Sequence, residues 1–280
     1  MLRWEALSSF LLLPACWRHC LFPIGDNSSM NVAIVTGAAQ GIGRRTSEML
    51  AEAGYALALI DRQPCPTVAP DAEREELLGD ITDEAFVRYC TETVRRRWGR
   101  ADVLVNNAGI SFIAPAEAVS ATDFRKVLEV NLVAPFLLSQ AFGALMLQRG
   151  QGSIVNIASI AGITGIADRS AYNASKHGLI GLTRTLAAEW GAHGVRVNAV
   201  CPGWVKTEMD HLDQAASAYT DEDIIGRVPM ARFATPDDIA NAVLFLAEPT
   251  RSGFINGHTL AVDGGWTADG SWQSLRLQHR

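Results

Sequence analysis

The sequence has few of the residues that a disulfide framework, a metal centre or a nucleic-acid surface needs. Its five cysteines are odd in number and form neither a C-x-x-C pair nor a Cys/His spacing typical of metal binding. The formal net charge is −6, so no excess of positive charge attracts a phosphate backbone. We expect no disulfides, no metal, no nucleic-acid partner, and a reducing, cytoplasmic environment.

Long hydrophobic runs are also scarce near the N-terminus. The apolar run over residues 7–13 resembles the centre of a signal peptide but is too short to span a bilayer, and we expect no membrane partner. Because Met30 directly precedes the first predicted strand, residues 1–29 are interpreted as a poorly ordered extension or the product of an upstream start codon. A targeting segment, or an arm acting as a lid or oligomer contact, is the alternative. Residues 269–280 are predicted to be a tail outside the core.

Short apolar or β-branched runs alternate with amphipathic stretches along the rest of the chain. These predicted strands are residues 31–36, 55–61, 76–80 (the weakest), 101–107, 153–159, 195–200 and 258–265. Apolar strands separated by helices indicate a mostly parallel sheet covered on both faces. We therefore predict one doubly wound α/β domain of about seven strands over residues 30–268. Between Asp61 and Asp80, three prolines predict a loop with at most a stub of helix.

The octet TGAAQGIG at residues 36–43 joins the first predicted strand to a stretch of helix formers. Glycines at 37, 41 and 43 lack a Cβ where backbone would approach a pyrophosphate, and the following helix N-terminus offers free N–H groups. By itself the octet is equally compatible with a plain turn. The residues that follow the second strand are therefore needed to distinguish a pyrophosphate-binding turn from a plain turn.

Asp61 ends the second predicted strand, near the offset at which an acidic residue meets the adenosine ribose. A carboxylate there accepts hydrogen bonds from the ribose hydroxyls and repels a 2′-phosphate. Gln40 is neutral and offers no compensating cation, whereas Arg62 is one nearby cation. We expect NAD(H) rather than NADP(H); the alternative for Asp61 is a solvated carboxylate at a strand end.

Tyr172 and Lys176 lie at i and i+4 in a predicted helix over residues 170–191 and share one side of it. A phenol titrates near 10, and lowering its pKa by about three units requires about 4 kcal/mol. An ammonium about 4 Å away, at an effective dielectric of about 20, supplies an interaction of that size. The pair can thus serve as an acid/base centre, although an exposed helix pair is the alternative.

Two further polar residues accompany this pair. Ser159 ends a predicted strand at the sheet edge where doubly wound folds bind ligands, and its hydroxyl can donate to a substrate oxygen. Asn131 lies between apolar neighbours in a helical stretch, so its amide must be hydrogen-bonded. A structural role and a proton-relay role for Asn131 both stay open.

Five motifs occur in a fixed order: T-G-x-x-x-G-x-G at 36–43, NNAG at 106–109, Ser159, Y-x-x-x-K at 172–176 and PGWVKT at 202–207. In the identity and order of these motifs, the chain resembles the classical short-chain dehydrogenases/reductases. The resemblance extends over about residues 30–266. The resemblance implies a Rossmann-type fold, an NAD-binding domain, and hydride transfer between nicotinamide and a secondary alcohol or ketone. It also implies a homo-oligomer, a tetramer or a dimer.

The resemblance also implies roles for individual residues. Tyr172 would exchange the proton with the substrate oxygen, Ser159 would orient that oxygen, Lys176 would lower the phenol pKa and hold the nicotinamide ribose, and Asn131 would anchor a water. The cofactor-binding set, besides Tyr172 and Lys176, is Gly37, Gln40, Gly41, Ile42, Asp61, Arg62, Asp80, Ile81, Asn107, Ala108, Gly109, Pro202, Gly203, Val205 and Thr207. Residues 207–230 would form a substrate lid, with Trp204 and Met209, beside Ser159 and Tyr172, contacting the substrate.

The expected substrate is a small molecule of the sugar, polyol, hydroxy acid or cyclic alcohol class. One alternative is an NADPH-dependent reductase of 3-oxoacyl thioesters on acyl carrier protein, since such enzymes share every motif except the acidic Asp61. A more distant alternative is a dinucleotide-sensing protein without turnover, against which the complete catalytic set argues.

Overall fold

The computed structural model describes residues 30–66, 71–215 and 219–271. The predictions for residues 1–29 and for the tail beyond 271 lie outside the described residues. Within the described part, seven strands form one parallel sheet in the order β3-β2-β1-β4-β5-β6-β7. The strands are β1 (Val32–Thr36), β2 (Ala56–Asp61), β3 (Arg74–Leu78), β4 (Val103–Asn106), β5 (Gly152–Ile157), β6 (Val195–Pro202) and β7 (Thr259–Val262).

Helices cover both faces of this sheet. They are α1 (Gly41–Glu52), α2 (Glu84–Trp98), α3 (Ala121–Leu128), α4 (Ala134–Arg149), α5 (Ser170–Trp190), α6 (Glu208–Ala215), α7 (Asp221–Arg227), α8 (Pro236–Ala247) and α9 (Pro249–Ser252). A π-helical turn, Glu129–Val133, joins α3 to α4. The architecture is the predicted doubly wound α/β fold, and all of the seven described strands run parallel.

Successive residues of the central strands point to opposite faces and enter two separate cores. Ile34 packs in the core formed with α2, α4 and α5, whereas Val35 packs in the core formed with α1 and α8. Both side chains are fully buried. This double burial explains why the strands are continuously apolar rather than alternating.

The helical stretch Ala121–Arg149 is long and apolar enough to cross a membrane by length and composition alone. Half of its most apolar part is buried inside the protein, however. Leu138, Phe142 and Met146 of α4 belong to the core beneath the sheet. Packing against the sheet therefore accounts for the apolar character of this stretch.

The connection after β2 follows the prediction in its described part. Residues 62–66 and 71–73 contain no helix, and β3 begins at Arg74, two residues earlier than predicted. Prolines fix the backbone torsion φ and cannot donate to a helix, which accounts for the absence of a helix from these described residues. Asp61, the last residue of β2, pairs in register with Leu78 of β3.

Candidate active site

A cleft of about 650 Å³ opens at the carboxyl ends of the strands, across the point where the strand order reverses between β1 and β4. All the cofactor and substrate residues named from the sequence line it. Of the catalytic set, Ser159, Tyr172 and Lys176 line it as well. Asn131 does not, because its side chain is fully buried.

The glycine octet forms a tight turn at one end of the cleft. Gly37 and Gly41 have positive φ angles of 66° and 54°, which favour glycine. A Cβ on Gly43 would lie 2.0 Å from the backbone oxygen of Gly37, so no other residue fits there. The side-chain amide of Asn107 donates to the backbone oxygens of Thr36 and Gly37 at 2.9 and 3.1 Å. Asn107 therefore locks the turn in addition to lining the cleft.

Helix α1 begins directly after this turn. Its N-cap residue, Gln40, makes no side-chain capping bond, and the first turn carries no acidic residue. The N-terminal N–H groups and the positive end of the helix dipole thus face the cleft without a competing carboxylate from the helix itself. This arrangement fits the pyrophosphate of a dinucleotide.

Asp61 is held at the end of β2 by two backbone donors. Its carboxylate accepts from the N–H of Ala39 at 2.9 Å and from that of Gln63 at 3.0 Å. A carboxylate can accept further hydrogen bonds beyond these two, so Asp61 fits ribose hydroxyls. Arg62 is exposed and lines the same part of the cleft.

The carboxylate of Asp80 stabilises a local turn. Its carboxylate accepts hydrogen bonds from the N–H and the hydroxyl of Thr82, at 2.9 and 2.8 Å. These bonds hold the pKa of Asp80 below its usual range. Ile81 is buried beside it and lines the cleft. The pair therefore forms part of the wall on the side of the sheet where β3 lies.

Tyr172 and Lys176 lie one turn apart on α5, and their side chains enter the cleft. The phenol of Tyr172 is hydrogen-bonded to the hydroxyl of Ser159. The Ser159 oxygen also accepts from the N–H of Ala161 at 3.1 Å, which fixes its position. Lys176 donates from Nζ to the backbone oxygen of Ile157 at 2.8 Å, and its Nζ lies 5.6 Å from the centre of the Tyr172 ring.

Burial is the largest cause of the pKa shifts of both Tyr172 and Lys176. It raises the pKa of Tyr172 to about 12, although the hydrogen bond with Ser159 acts in the opposite direction. Burial also lowers the pKa of Lys176 to about 8. The expectation from the i, i+4 spacing was a phenol pKa lowered by the ammonium; it omitted the desolvation of both groups, which disfavours each charged form.

Asn131 lies in the π-helical turn and joins two elements. Its side-chain oxygen accepts from the N–H of Ile110, while its amide nitrogen donates to the backbone oxygen of Ile110 and the hydroxyl of Ser175. The predicted need for hydrogen-bond partners is thus met by the loop after β4 and by α5. A Cβ on Gly109 would lie 3.2 Å from the oxygen of Asn131 and 3.6 Å from Nζ of Lys176, so both groups converge there.

The segment after β6 is anchored by backbone bonds. Gly203 donates to Val262 of β7 at 3.0 Å, and Trp204 accepts from the N–H of Ala234 at 2.8 Å. Val205 forms a bridge with Ala234. These bonds fix the stretch that leads through Thr207 into α6, whose residue Met209 lines the cleft.

Several cleft residues were missed by the sequence analysis. They include Ile166, Arg169, Asp210, Asp213 and Tyr219. Arg169 could have been found, because it lies three residues before Tyr172 and therefore on the same side of the helix start. The others belong to the segment around α6 or to the loop before α5, which carry no local motif.

Comparisons with known proteins identify the family of this chain. A family model described as enoyl-(acyl carrier protein) reductase matches residues 37–267. A D-threitol dehydrogenase of Mycolicibacterium smegmatis is 40% identical over 243 residues, which cover 84% of this chain and 92% of that protein. The chain therefore belongs to the short-chain dehydrogenases/reductases, the family that the motifs indicated.

Two further relatives show the range of this family. A 3-oxoacyl-[acyl-carrier-protein] reductase of Thermotoga maritima, FabG, is 35% identical over 242 residues, covering 84% of this chain and 96% of that protein. The solved structure of ElxO with NADP bound is 31% identical and covers 86% of this chain and all of that chain, with a TM-score of 0.80. The chain is an oxidoreductase of this family, and the fold is a Rossmann-type domain.

Proposed function

We propose that this protein transfers a hydride between NAD(H) and a secondary alcohol or ketone, with Tyr172 exchanging the proton. The observation that carries the proposal is the hydrogen-bonded pair of Ser159 and Tyr172, which lies with Lys176 in one cleft. The glycine turn and Asp61 lie at the other end of that cleft. A nicotinamide bound there would supply the hydride donor or acceptor.

The roles of the side chains follow from their hydrogen bonds. Ser159 and Tyr172 present two hydroxyls that can both contact one substrate oxygen. Burial keeps the Tyr172 phenol protonated, which suits it to donate a proton to an alkoxide during ketone reduction. Lys176 is positioned by its bond to Ile157, and Asn131 by its bonds to Ile110 and Ser175. Their parts in holding the ribose and a relay water rest on the family resemblance.

NAD(H) is the proposed cofactor because the Asp61 carboxylate is fixed where an adenosine ribose would lie, and a 2′-phosphate would be repelled there. Two observations favour NADP(H) instead: the exposed Arg62 in the same cleft and the NADP bound in ElxO. Initial rates with both cofactors separate the two. A tenfold or greater preference for NADP(H) would overturn the proposal.

The first substrates to screen are polyols, sugars, hydroxy acids and cyclic alcohols, with NADH formation as the readout. The likeness to a D-threitol dehydrogenase supports starting with polyols. If the purified protein binds NADH yet turns over no member of a broad panel, and Tyr172→Phe changes nothing, the dinucleotide-sensing alternative replaces the enzymatic one.

A second candidate function is the NADPH-dependent reduction of 3-oxoacyl thioesters. It is favoured by the likeness to the Thermotoga maritima reductase and by the description of the family model. Acetoacetyl-coenzyme A with NADPH tests it directly. If acetoacetyl-coenzyme A is reduced faster than any alcohol or ketone of the panel is turned over, reduction of 3-oxoacyl thioesters is the function.

We further propose a cytoplasmic homo-oligomer, a tetramer or dimer, acting on a small molecule. Support comes from β7 at the sheet edge, where Thr259, Leu260 and Val262 are only half-buried and Ala261 is exposed. Light scattering on the purified protein measures the oligomeric state.

A further inference from the structure

Arg169 is a buried cation beside the catalytic tyrosine. It directly precedes α5, and the residue before it, Asp168, has a positive φ of 59°. The backbone oxygen of Asp168 accepts from the N–H of Ala114 at 2.9 Å. This turn directs the Arg169 side chain inward, where the residue is only 9% exposed and lines the same cleft as Tyr172.

The Arg169 guanidinium faces an acid from the lid. Its Nη2 lies 3.6 Å from Oδ2 of Asp213 on α6, and the same oxygen accepts from the hydroxyl of Ser111 at 3.2 Å. Among the described residues, Arg169 Nη2 has no hydrogen-bond partner. The ion pair with Asp213 leaves this N–H outside hydrogen-bond distance of the carboxylate, so it can donate to an acceptor on a bound ligand.

The charges around this pair exclude an anionic ligand. Asp210 and Asp213 both line the cleft here, against the single cation Arg169, while Lys206 pairs with Asp210 and Asp221 from outside it. No uncompensated cation here attracts a substrate carboxylate, because Arg169 pairs with Asp213 and Lys206 pairs with Asp210. A neutral hydroxyl instead accepts from Arg169 and donates to Asp213, and so uses both members of the pair.

The pair also lies near the reacting centre. Arg169 and Asp213 are both close enough to Tyr172 to influence the pKa of its phenol, in opposite directions. The Arg169 guanidinium lies 5.7 Å from the centre of the Trp204 ring, which forms the wall on this side. A ligand group bound by Arg169 and Asp213 would thus lie in the same cleft as the Tyr172 phenol.

We propose that Arg169 and Asp213 together bind a hydroxyl adjacent to the reacting carbon, so that the enzyme selects neutral alcohols with vicinal hydroxyls over simple alcohols and hydroxy acids. This inference rests on the function proposed above. It assigns substrate selection to two residues outside the family motifs, one at the start of α5 and one on α6.

Three four-carbon alcohols test the inference because two of them differ from the third, 2-butanol, in one group each. They are 2,3-butanediol, 2-butanol and 3-hydroxybutanoate, each oxidised with NAD⁺. The wild-type protein is expected to prefer the diol by at least about tenfold in kcat/KM over either of the others, since a site built to bind a hydroxyl rejects the analogue that lacks it. A preference for 2-butanol or 3-hydroxybutanoate overturns the proposal.

Arg169→Gln and Asp213→Asn should each lower the ratio of kcat/KM for the diol to kcat/KM for 2-butanol by about tenfold or more. Arg88→Gln is the matched control, because Arg88 is exposed on α2 and pairs only with Glu84 four residues earlier. Equal losses for both alcohols would mean that the pair serves the structure of the site, and the proposal would be wrong.

A binding measurement separates this inference from the proposed function. The Tyr172→Phe variant with NAD⁺ is titrated with 2,3-butanediol and with 2-butanol by calorimetry, with and without Arg169→Gln. Preferential binding of the diol that disappears with Arg169→Gln supports the inference even if the wild type shows no turnover. Equal binding of both alcohols, or binding unaffected by Arg169→Gln, refutes it whether or not turnover occurs.

Discussion

Lys176 donates a hydrogen bond from Nζ to the backbone oxygen of Ile157 at 2.8 Å, although the lysine is only 4% exposed. One such bond does not replace the hydration of an ammonium, and burial lowers the pKa of Lys176 to about 8 from its ordinary value of 10.5. At about 1.4 kcal/mol per pKa unit, the buried charge destabilises the fold by about 3 kcal/mol below pH 8.

The sign of the resulting pH dependence is definite. Between pH 8 and 10.5 the unfolded chain keeps the Lys176 proton while the folded chain has lost it, so wild-type stability rises with pH in this window. Relative to Lys176→Met, we expect the wild type to gain up to about 3 kcal/mol from pH 7.5 to pH 10. Urea denaturation at several pH values measures this. The exposed Lys126 provides the control, Lys126→Met, which should show no such change; a flat difference for Lys176→Met would contradict the prediction.

Tyr172→Phe should lower kcat by about 10³-fold, the size typical of a lost acid/base group. The phenol makes its hydrogen bond with Ser159, so its removal should leave the fold and the dinucleotide site intact. Steady-state rates measure the loss, and NADH fluorescence titration serves as the control for cofactor binding. A decrease in kcat of less than tenfold would show that Tyr172 is not the acid/base group.

Asp61→Asn should raise the ratio of kcat/KM for NADP⁺ to that for NAD⁺ by about fivefold or more. Removing one negative charge near a 2′-phosphate relieves a repulsion of about 1 kcal/mol even at the dielectric of water. Asp80→Asn is the matched control, because the Asp80 carboxylate is engaged with Thr82. If both variants change the ratio equally, the selectivity does not reside at Asp61.

Asn131→Ala should reduce the free energy of unfolding by about 2–4 kcal/mol. The substitution leaves the partly buried N–H and backbone oxygen of Ile110 without their side-chain partner, and each such group costs about 1–3 kcal/mol when it is buried. Asn241→Ala, on an exposed amide that bonds only within α8, is expected to cost less than about 0.5 kcal/mol. Chemical denaturation compares the two, and similar losses would show that the Asn131 bridge contributes nothing.

Local signals were sufficient for the strands, the glycine turn and the Y-x-x-x-K helix, because each depends on residues close together in the chain. Arg169 and Asp213 illustrate the limit: 44 positions separate them, and no spacing rule connects the start of α5 with the lid. Asn107 is intermediate, since its motif was recognised but its bonds to Thr36 and Gly37 were not.

By itself, the sequence determined the alternation of apolar strands and helices, and with it the parallel sheet and the edge at which ligands bind, because periodicity and glycine chemistry act locally. Only the tertiary structure decided how far Tyr172 and Lys176 are desolvated and which charges face them, because burial depends on the packing of segments distant in the chain. The same packing brings Asp213 of α6 to Arg169, a contact that no local pattern indicated.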